Sequence, residues 1–137
     1  GNQPAQHMIY LYDWTEQPWK TQKWVREVMD RLYSAQPDGY CGDEDNGQTS
    51  AWYVFSALGF YPVCPASDEY AIGSPLFRKA VVHLENGEDL VISAPENSSE
   101  TPYVRSVRVN GRKLDRWFLN HSVISKGANV NFSVASK

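Results

Sequence analysis

The sequence predicts an α+β fold in which helices come first and strands follow. In the first sixty residues the apolar positions recur with helical spacing, whereas beyond Tyr70 short β-rich runs alternate with a period of two. A turn-rich stretch over residues 61–65 separates the two parts. Elements segregated in this way pack as separate α and β layers. We therefore divide the chain into a helical part, residues 1–65, and a C-terminal β-domain, residues 66–137.

Two helices are expected before residue 35. Residues 4–12 have the pattern of the end of a helix. Residues 18–34 form an amphipathic helix, because apolar side chains recur three and four residues apart. Its apolar face consists of Val25, Val28, Met29 and Leu32. The Gln36-Pro37-Asp38-Gly39 sequence ends this helix.

A third helix is expected over residues 51–58. Thr49 or Ser50 is suited to cap its first turn, and Gly59 to end it in a left-handed conformation. The segment is apolar nearly all round, which is typical of a helix buried against other helices. Without such neighbours the apolar surface favours self-association, so the isolated chain is expected to be weakly stable or oligomeric.

Four runs in the second part alternate as strands do. They are residues 79–84, 89–94, 103–109 and 129–135. The pairs Asn86-Gly87 and Asn110-Gly111 favour tight turns with positive φ between strands. The sequence therefore predicts a small antiparallel sandwich or sheet.

Composition excludes several functional classes. The 137 residues carry a net charge of -3 with scattered Lys and Arg, so nucleic acid is not an expected partner. No apolar run reaches the roughly 20 residues that span a bilayer, and no membrane partner is expected. Cys41 and Cys64 leave open either one disulfide or two buried thiols.

The most informative segment is an acidic loop between two predicted helices, residues 42–48. Asp43, Glu44 and Asp45 place three carboxylates in succession, and their repulsion must be relieved by a cation, donors or a shared proton. The alternative is a solvated acidic turn. An EF-hand calcium loop is excluded, since the sixth residue counted from Asp43 is Gln48 and the twelfth is Val54.

This loop, running into residues 50–62, resembles the signature block of the glycoside hydrolase family 92 α-mannosidases. Supporting blocks occur in the same order, at residues 1–4 with His7, 17–21 and 72–75. The resemblance implies that residues 1–65 are the last helices of an (α/α)6 barrel. Family members carry the earlier helix pairs and an N-terminal β-sandwich, which are expected upstream of residue 1.

The resemblance also implies an activity, the inverting and calcium-dependent removal of terminal α-mannose, with α-1,2 linkages expected. By resemblance to the family's paired aspartates, Asp45 is the general base and Asp43 its partner in holding the attacking water. The general acid is expected to be an upstream Glu. The isolated chain is accordingly expected to be inactive.

Further site residues are expected from the same blocks. The candidates for substrate binding are Gln3, His7, Trp19 and Glu44. Calcium (Ca2+) is the expected cofactor, with Asn2 and Gln3 as its candidate ligands. Many family members carry Glu where this chain has Gln3, so its linkage preference can differ. Alternatively, His7 is a capping or core residue and the Trp side chains pack between helices.

Two interpretations of the function remain from the sequence. In the first, the chain is part of a mannosidase that acts on mannose-containing glycans, and its partner is the remainder of that enzyme. In the second, it is a non-catalytic module that binds calcium or carbohydrate or has a structural role. Such modules are typically all-β, whereas this acidic loop joins helices, which favours the enzyme. A secreted, periplasmic or cell-surface location is expected.

Overall fold

A computed structural model describes residues 5–137. The helical part contains a 3₁₀ helix, Met8–Trp14, and the α-helices α1, Pro18–Leu32, and α2, Gln48–Leu58. The strands are β1 Phe60–Tyr61, β2 Glu69–Ile72, β3 Lys79–His83, β4 Asp89–Ser93, β5 Tyr103–Val109, β6 Arg112–Lys113, β7 Phe118–Asn120 and β8 Ala128–Ala135. A single helical turn, α3, His121–Ile124, lies between β7 and β8. The predicted order of helices before strands is confirmed.

The helices differ from expectation mainly at their ends. The first is a 3₁₀ helix that continues to Trp14. The second, α1, begins at Pro18 as expected, and ends at Leu32 because Tyr33 is already extended, at φ -126° and ψ 143°. Its apolar face is buried through Val25 and Met29. No helix in the described part of the chain is both long and apolar enough to cross a membrane.

Helix α2 starts one residue before the expected capping positions. Gly47, at φ 94°, precedes its first turn and offers no side chain, and Thr49 lies inside the helix. Gly59 ends the helix at φ 106°, and its N–H donates to the carbonyl of Phe55, as expected for a left-handed terminator. The expected burial on all sides is wrong for this chain, because Val54 is 57% exposed.

The β-part contains two sheets. The larger has the strand order β3-β4-β8-β5-β6. Its pairs are antiparallel as expected except for β4–β8, which is parallel, so this sheet is mixed. Strands β6 and β8 both pair antiparallel to β5 and so run in the same direction. The chain must therefore cross back between them, and it does so through β7 and α3.

The smaller sheet has the order β1-β2-β7 and is antiparallel throughout. Strand β1 lies before residue 65 and β2 after it, and the two strands pair. This sheet therefore joins the helical part, residues 1–65, to the β-domain, residues 66–137. Along β2, Ile72 belongs to the core of the larger sheet and Ala71 to the core of the helices. The smaller sheet therefore contributes to both cores. Both cysteines are free and exposed, and they are not bridged.

Two buried polar side chains fix α1 to the β-part. Arg26, 5% exposed, donates through Nη1 to Pro75 O at 2.9 Å and Asn97 Oδ1 at 3.0 Å, and through Nη2 to Ser98 O at 2.7 Å. Gln22 Oε1 accepts a hydrogen bond from the Val104 N–H at 2.7 Å. Because these bonds are buried, they hold the helical and β layers in one fixed arrangement.

The acidic loop as a candidate active site

The backbone of the acidic loop is held in an unusual conformation. Asp45, Asn46 and Gly47 have φ values of 53°, 58° and 94°, so three successive residues are left-handed. Two of them carry a Cβ, which makes this conformation costly by about 1–3 kcal/mol for each such residue. Backbone of this kind persists where its surroundings impose it, and it concentrates at functional sites.

The three carboxylates have different surroundings. Asp43 is exposed, whereas Glu44 and Asp45 are half-buried. Glu44 Oε2 and Asp45 Oδ2 are each buried without a hydrogen-bond partner among residues 5–137. A buried carboxylate oxygen without a donor has lost its hydrogen bonds to water and gained none in return, which lowers the stability of the folded state. The loop therefore presents two oxygens suited to a donor or cation from outside the described residues.

Thr49 anchors this loop from the first turn of α2. It is fully buried, and its hydroxyl donates to the Asp43 carbonyl at 2.6 Å. Its N–H donates to the Glu44 carbonyl at 3.1 Å. Gln6 Nε2 donates in turn to Thr49 Oγ1 at 3.0 Å, and the Gln6 carbonyl accepts from Trp52 Nε1 at 2.9 Å. Gln6, which precedes the 3₁₀ helix, is thus linked to the acidic loop through Thr49.

An aromatic cavity adjoins the loop. Tyr33 stacks on Trp52, with ring centroids 5.5 Å apart, and packs against Tyr40 and Tyr53. These tyrosines, with Ser50, line a cavity of about 390 Å³, within the range of small-molecule sites. Burial, with added repulsion from nearby groups that include Glu44, raises the pKa of Tyr33 above its usual value. It therefore remains a neutral hydroxyl at physiological pH.

Comparison with known proteins identifies the family. The model of the glycosyl hydrolase family 92 catalytic domain matches residues 1–136. The chain belongs to glycosyl hydrolase family 92. This membership confirms the resemblance seen in the acidic loop and its flanking blocks.

Two solved family 92 structures from Bacteroides thetaiotaomicron match closely. One is an inverting mannosidase, 57% identical, which matches 99% of this chain and 18% of its own length with a TM-score of 0.91. The other is an α-mannosidase in complex with mannoimidazole, 42% identical, which matches 100% of this chain and 18% of its own length with a TM-score of 0.96. An uncharacterized secreted glycosidase of the fungus Arthroderma benhamiae is 21% identical over 140 residues, which are 100% of this chain and 18% of the relative. This chain therefore spans less than a fifth of each relative's length.

The other predicted site residues of this family 92 chain do not all lie at the loop. Trp19, 46% exposed, is the second residue of α1 and packs edge-on against Tyr103. The other end of α1 lies about 20 Å from Trp19 along the helix axis. Tyr33, which follows that end, is the residue near Glu44 of the loop. His7 is half-buried, one residue after Gln6. The predictions for Asn2 and Gln3 concern positions outside the described residues.

Sequence reasoning missed Gln6, Thr49 and Asp13. Thr49 was considered only as a cap, and a lone Gln before a helix carries no signal by itself. Asp13 is 5% exposed, and burial raises the pKa of its carboxyl from 3.8 to about 8. The Thr21 hydroxyl and the Ile72 backbone lower this pKa by smaller amounts, but neither satisfies a carboxyl oxygen with good hydrogen-bond geometry.

The polar groups around Asp13 do not belong to the acidic loop. They are the Thr21 hydroxyl of α1 and the backbone of Ile72 in β2. The raised pKa of Asp13 bears on the stability of this family 92 chain, because a carboxyl that binds its proton more tightly in the folded state makes folding depend on pH.

No group of three or more His, Cys, Asp or Glu side chains within residues 5–137 could hold a metal ion. The loop does offer hard oxygen donors, the unpartnered Glu44 Oε2 and Asp45 Oδ2. Gln6 Oε1 is also buried without a partner, on the residue whose Nε2 binds Thr49. These oxygens suit calcium, which takes six to eight oxygen ligands, but they supply only part of its coordination.

Proposed function

We propose that the enzyme containing this chain is an inverting, calcium-dependent exo-α-mannosidase, and that this chain supplies its general-base loop. Family membership supports the enzyme class. The observation that carries the base assignment is Asp45 itself, held at φ 53° with one carboxylate oxygen buried and unpartnered. A group kept in this state at the end of a helix-joining loop is suited to accept a proton from a bound water.

The proposed reaction divides the work between two carboxyl groups. Asp45 removes a proton from the water while the water oxygen attacks the anomeric carbon, and Asp43 helps to hold that water. On the opposite face an acid donates its proton to the leaving oxygen as the glycosidic bond breaks. We assign the acid to a glutamate outside this chain. Because the water attacks opposite the leaving group, the configuration at the anomeric carbon inverts.

Calcium is part of the proposal through its fit to the oxygens near the loop. Within the described residues Gln6 and Glu44 would contribute ligands, since each has a buried oxygen without a partner. Asn2 and Gln3 remain candidate ligands by resemblance. When bound, calcium would hold neighbouring sugar hydroxyls and help distort the ring toward the oxocarbenium-like transition state. Glu44 would then contact substrate or metal.

The proposed substrate is a glycan, such as an N-glycan, that ends in α-mannose, with the α-1,2 linkage preferred. Support comes from the two Bacteroides mannosidases that this chain resembles. Gln3 and His7 are the proposed substrate-binding residues of the N-terminal block. A secreted or cell-surface location is supported by the secreted fungal relative, and fits an enzyme that degrades extracellular glycans.

The test uses the full-length enzyme with α-1,2-, α-1,3- and α-1,6-linked mannobiose. Asp45→Asn should lower kcat by at least about 100-fold, the scale of general acid–base catalysis, and chelation of calcium should abolish activity reversibly. Asp38→Asn, in the exposed turn after α1, is the matched control and should retain activity. Proton NMR of the first product should show β-mannose.

Each outcome bears on a different part of the proposal. A fully active Asp45→Asn enzyme refutes the base assignment, and activity unchanged by chelation refutes the calcium role. Release of α-mannose as the first product refutes inversion. If no mannobiose is cleaved but mannan in the gel still retards the protein in affinity electrophoresis, the protein is a binding module and not an enzyme.

A further inference from the structure

We propose that Thr49 is a positioning residue for the general-base loop, acting through its hydroxyl. This inference rests on the proposed function, because it assigns Thr49 a role in placing the carboxylates of Asp43 and Asp45. Thr49 touches neither substrate nor the reacting atoms in the proposed mechanism. Its effect on the reaction passes through the backbone of the loop.

Three hydrogen bonds define the role. The Thr49 hydroxyl donates to the Asp43 carbonyl at 2.6 Å, and the Thr49 N–H donates to the Glu44 carbonyl at 3.1 Å. The same hydroxyl accepts from Gln6 Nε2 at 3.0 Å. The Thr49 side chain is fully buried, so its hydroxyl depends on these partners and not on water. One residue therefore fixes two consecutive peptide groups of the loop.

These bonds matter because they lie at the start of the strained turn. After the two anchored carbonyls, the chain turns through the left-handed residues Asp45, Asn46 and Gly47 before α2 begins. A strained turn relaxes unless its two ends are held. Thr49 holds the start of the turn from the helix at its end, so it keeps the loop closed on itself.

Gln6 extends the same network to a second element. Its side chain reaches Thr49, and its main-chain carbonyl accepts from the indole N–H of Trp52, one turn further along α2, at 2.9 Å. Trp52 is itself buried, 1% exposed, and stacks on Tyr33. Through Thr49 the acidic loop is therefore held in a fixed position relative to Gln6 and to the buried face of α2.

The hydroxyl, and not the shape of the side chain, carries this role. Valine has nearly the same shape as threonine but can neither donate to the Asp43 carbonyl nor accept from Gln6. Thr49→Val would leave the amide of the buried Gln6 without this acceptor and the Asp43 carbonyl without this donor, and the loop would relax to satisfy them. A catalytic group displaced by about 1 Å can lose about 100-fold in rate.

The experiment compares variants of the full-length enzyme in mannobiose hydrolysis. Thr49→Val should lower kcat by about 10- to 100-fold with little change in KM, because the substrate still binds but the water is misplaced. Thr49→Ser keeps the hydroxyl and should restore kcat to within about threefold of the wild type. Thr15→Val is the matched control, since it removes a hydroxyl that bonds the Tyr12 carbonyl and the Gln17 N–H and not the acidic loop.

The outcomes separate this proposal from the one it rests on. A fully active Asp45→Asn enzyme refutes the proposed function itself. If Asp45→Asn is inactive while Thr49→Val retains wild-type kcat, the positioning role alone is wrong. Equal losses in Thr49→Ser and Thr49→Val also overturn it, because then the hydroxyl is not the group that matters. Should Thr49→Val fail to fold, Thr49→Ala replaces it, and a wild-type kcat there is equally decisive against the role.

Discussion

Replacing Asp13 with asparagine should stabilise the protein, by an amount that grows with pH. Asp13 is buried, and neither of its carboxyl oxygens has a hydrogen-bond partner within the described residues. Burial raises the pKa of this carboxyl from 3.8 to about 8 in the folded protein. The folded state therefore keeps Asp13 protonated over a range of pH in which the unfolded state has released the proton.

The sign of the effect is set by this difference in proton binding. Below about pH 4 both states are protonated and the folded protein has its full stability. Between about pH 4 and pH 8 the unfolded state has released the proton and the folded state has not. Each unit of pH in this range lowers the free energy of unfolding by about 1.4 kcal/mol. The wild type should thus lose on the order of 4 kcal/mol of stability by pH 7. An asparagine side chain does not titrate, so that loss would be absent in Asp13→Asn.

The assay is the melting temperature of the full-length enzyme, measured from pH 4 to pH 9. The two proteins should melt at nearly the same temperature at pH 4, and Asp13→Asn should melt several degrees higher at pH 8. Asp38→Asn removes an exposed carboxylate of the same type and should follow the wild type at every pH. Parallel curves for wild type and Asp13→Asn would show that Asp13 is not protonated in the folded state, and would refute the argument.

Two further substitutions test the packing that supports the site. Arg26→Met should lower the free energy of unfolding by about 1–3 kcal/mol, because it leaves the buried Asn97 Oδ1 without its donor. Arg31→Met on the exposed side of α1 should change the melting temperature little. Gly59→Ala should cost about 2–4 kcal/mol, since its Cβ would lie 2.9 Å from the Phe132 ring at a φ of 106°. Gly87 also has a positive φ, but a Cβ there would contact nothing, so Gly87→Ala measures the backbone contribution alone. Equal losses of stability in the two variants would refute the proposed clash with Phe132.

Much of the fold is encoded locally, and local patterns found it. The apolar stripe of α1 predicted the buried Val25 and Met29, and the left-handed end of α2 follows from Gly59. Strand β5 occupies the predicted residues, 103–109, without change. Each of these features depends on side chains within a few residues of one another.

The pairing of strands is not encoded in this way. Strands β4 and β8 lie next to one another although they are far apart in sequence, and their parallel direction depends on where β7 diverts the chain. Alternation predicts that a segment is a strand, but it is the same for parallel and antiparallel neighbours.

The sequence by itself determined the family, the order of helices before strands, and the loop in which Asp43, Glu44 and Asp45 follow one another. It did so because a run of residue types is a local property. Only the tertiary structure decided how that loop is held. Thr49 meets Gln6 across 43 positions of sequence, and no periodic pattern links two residues that meet only when separate helices pack.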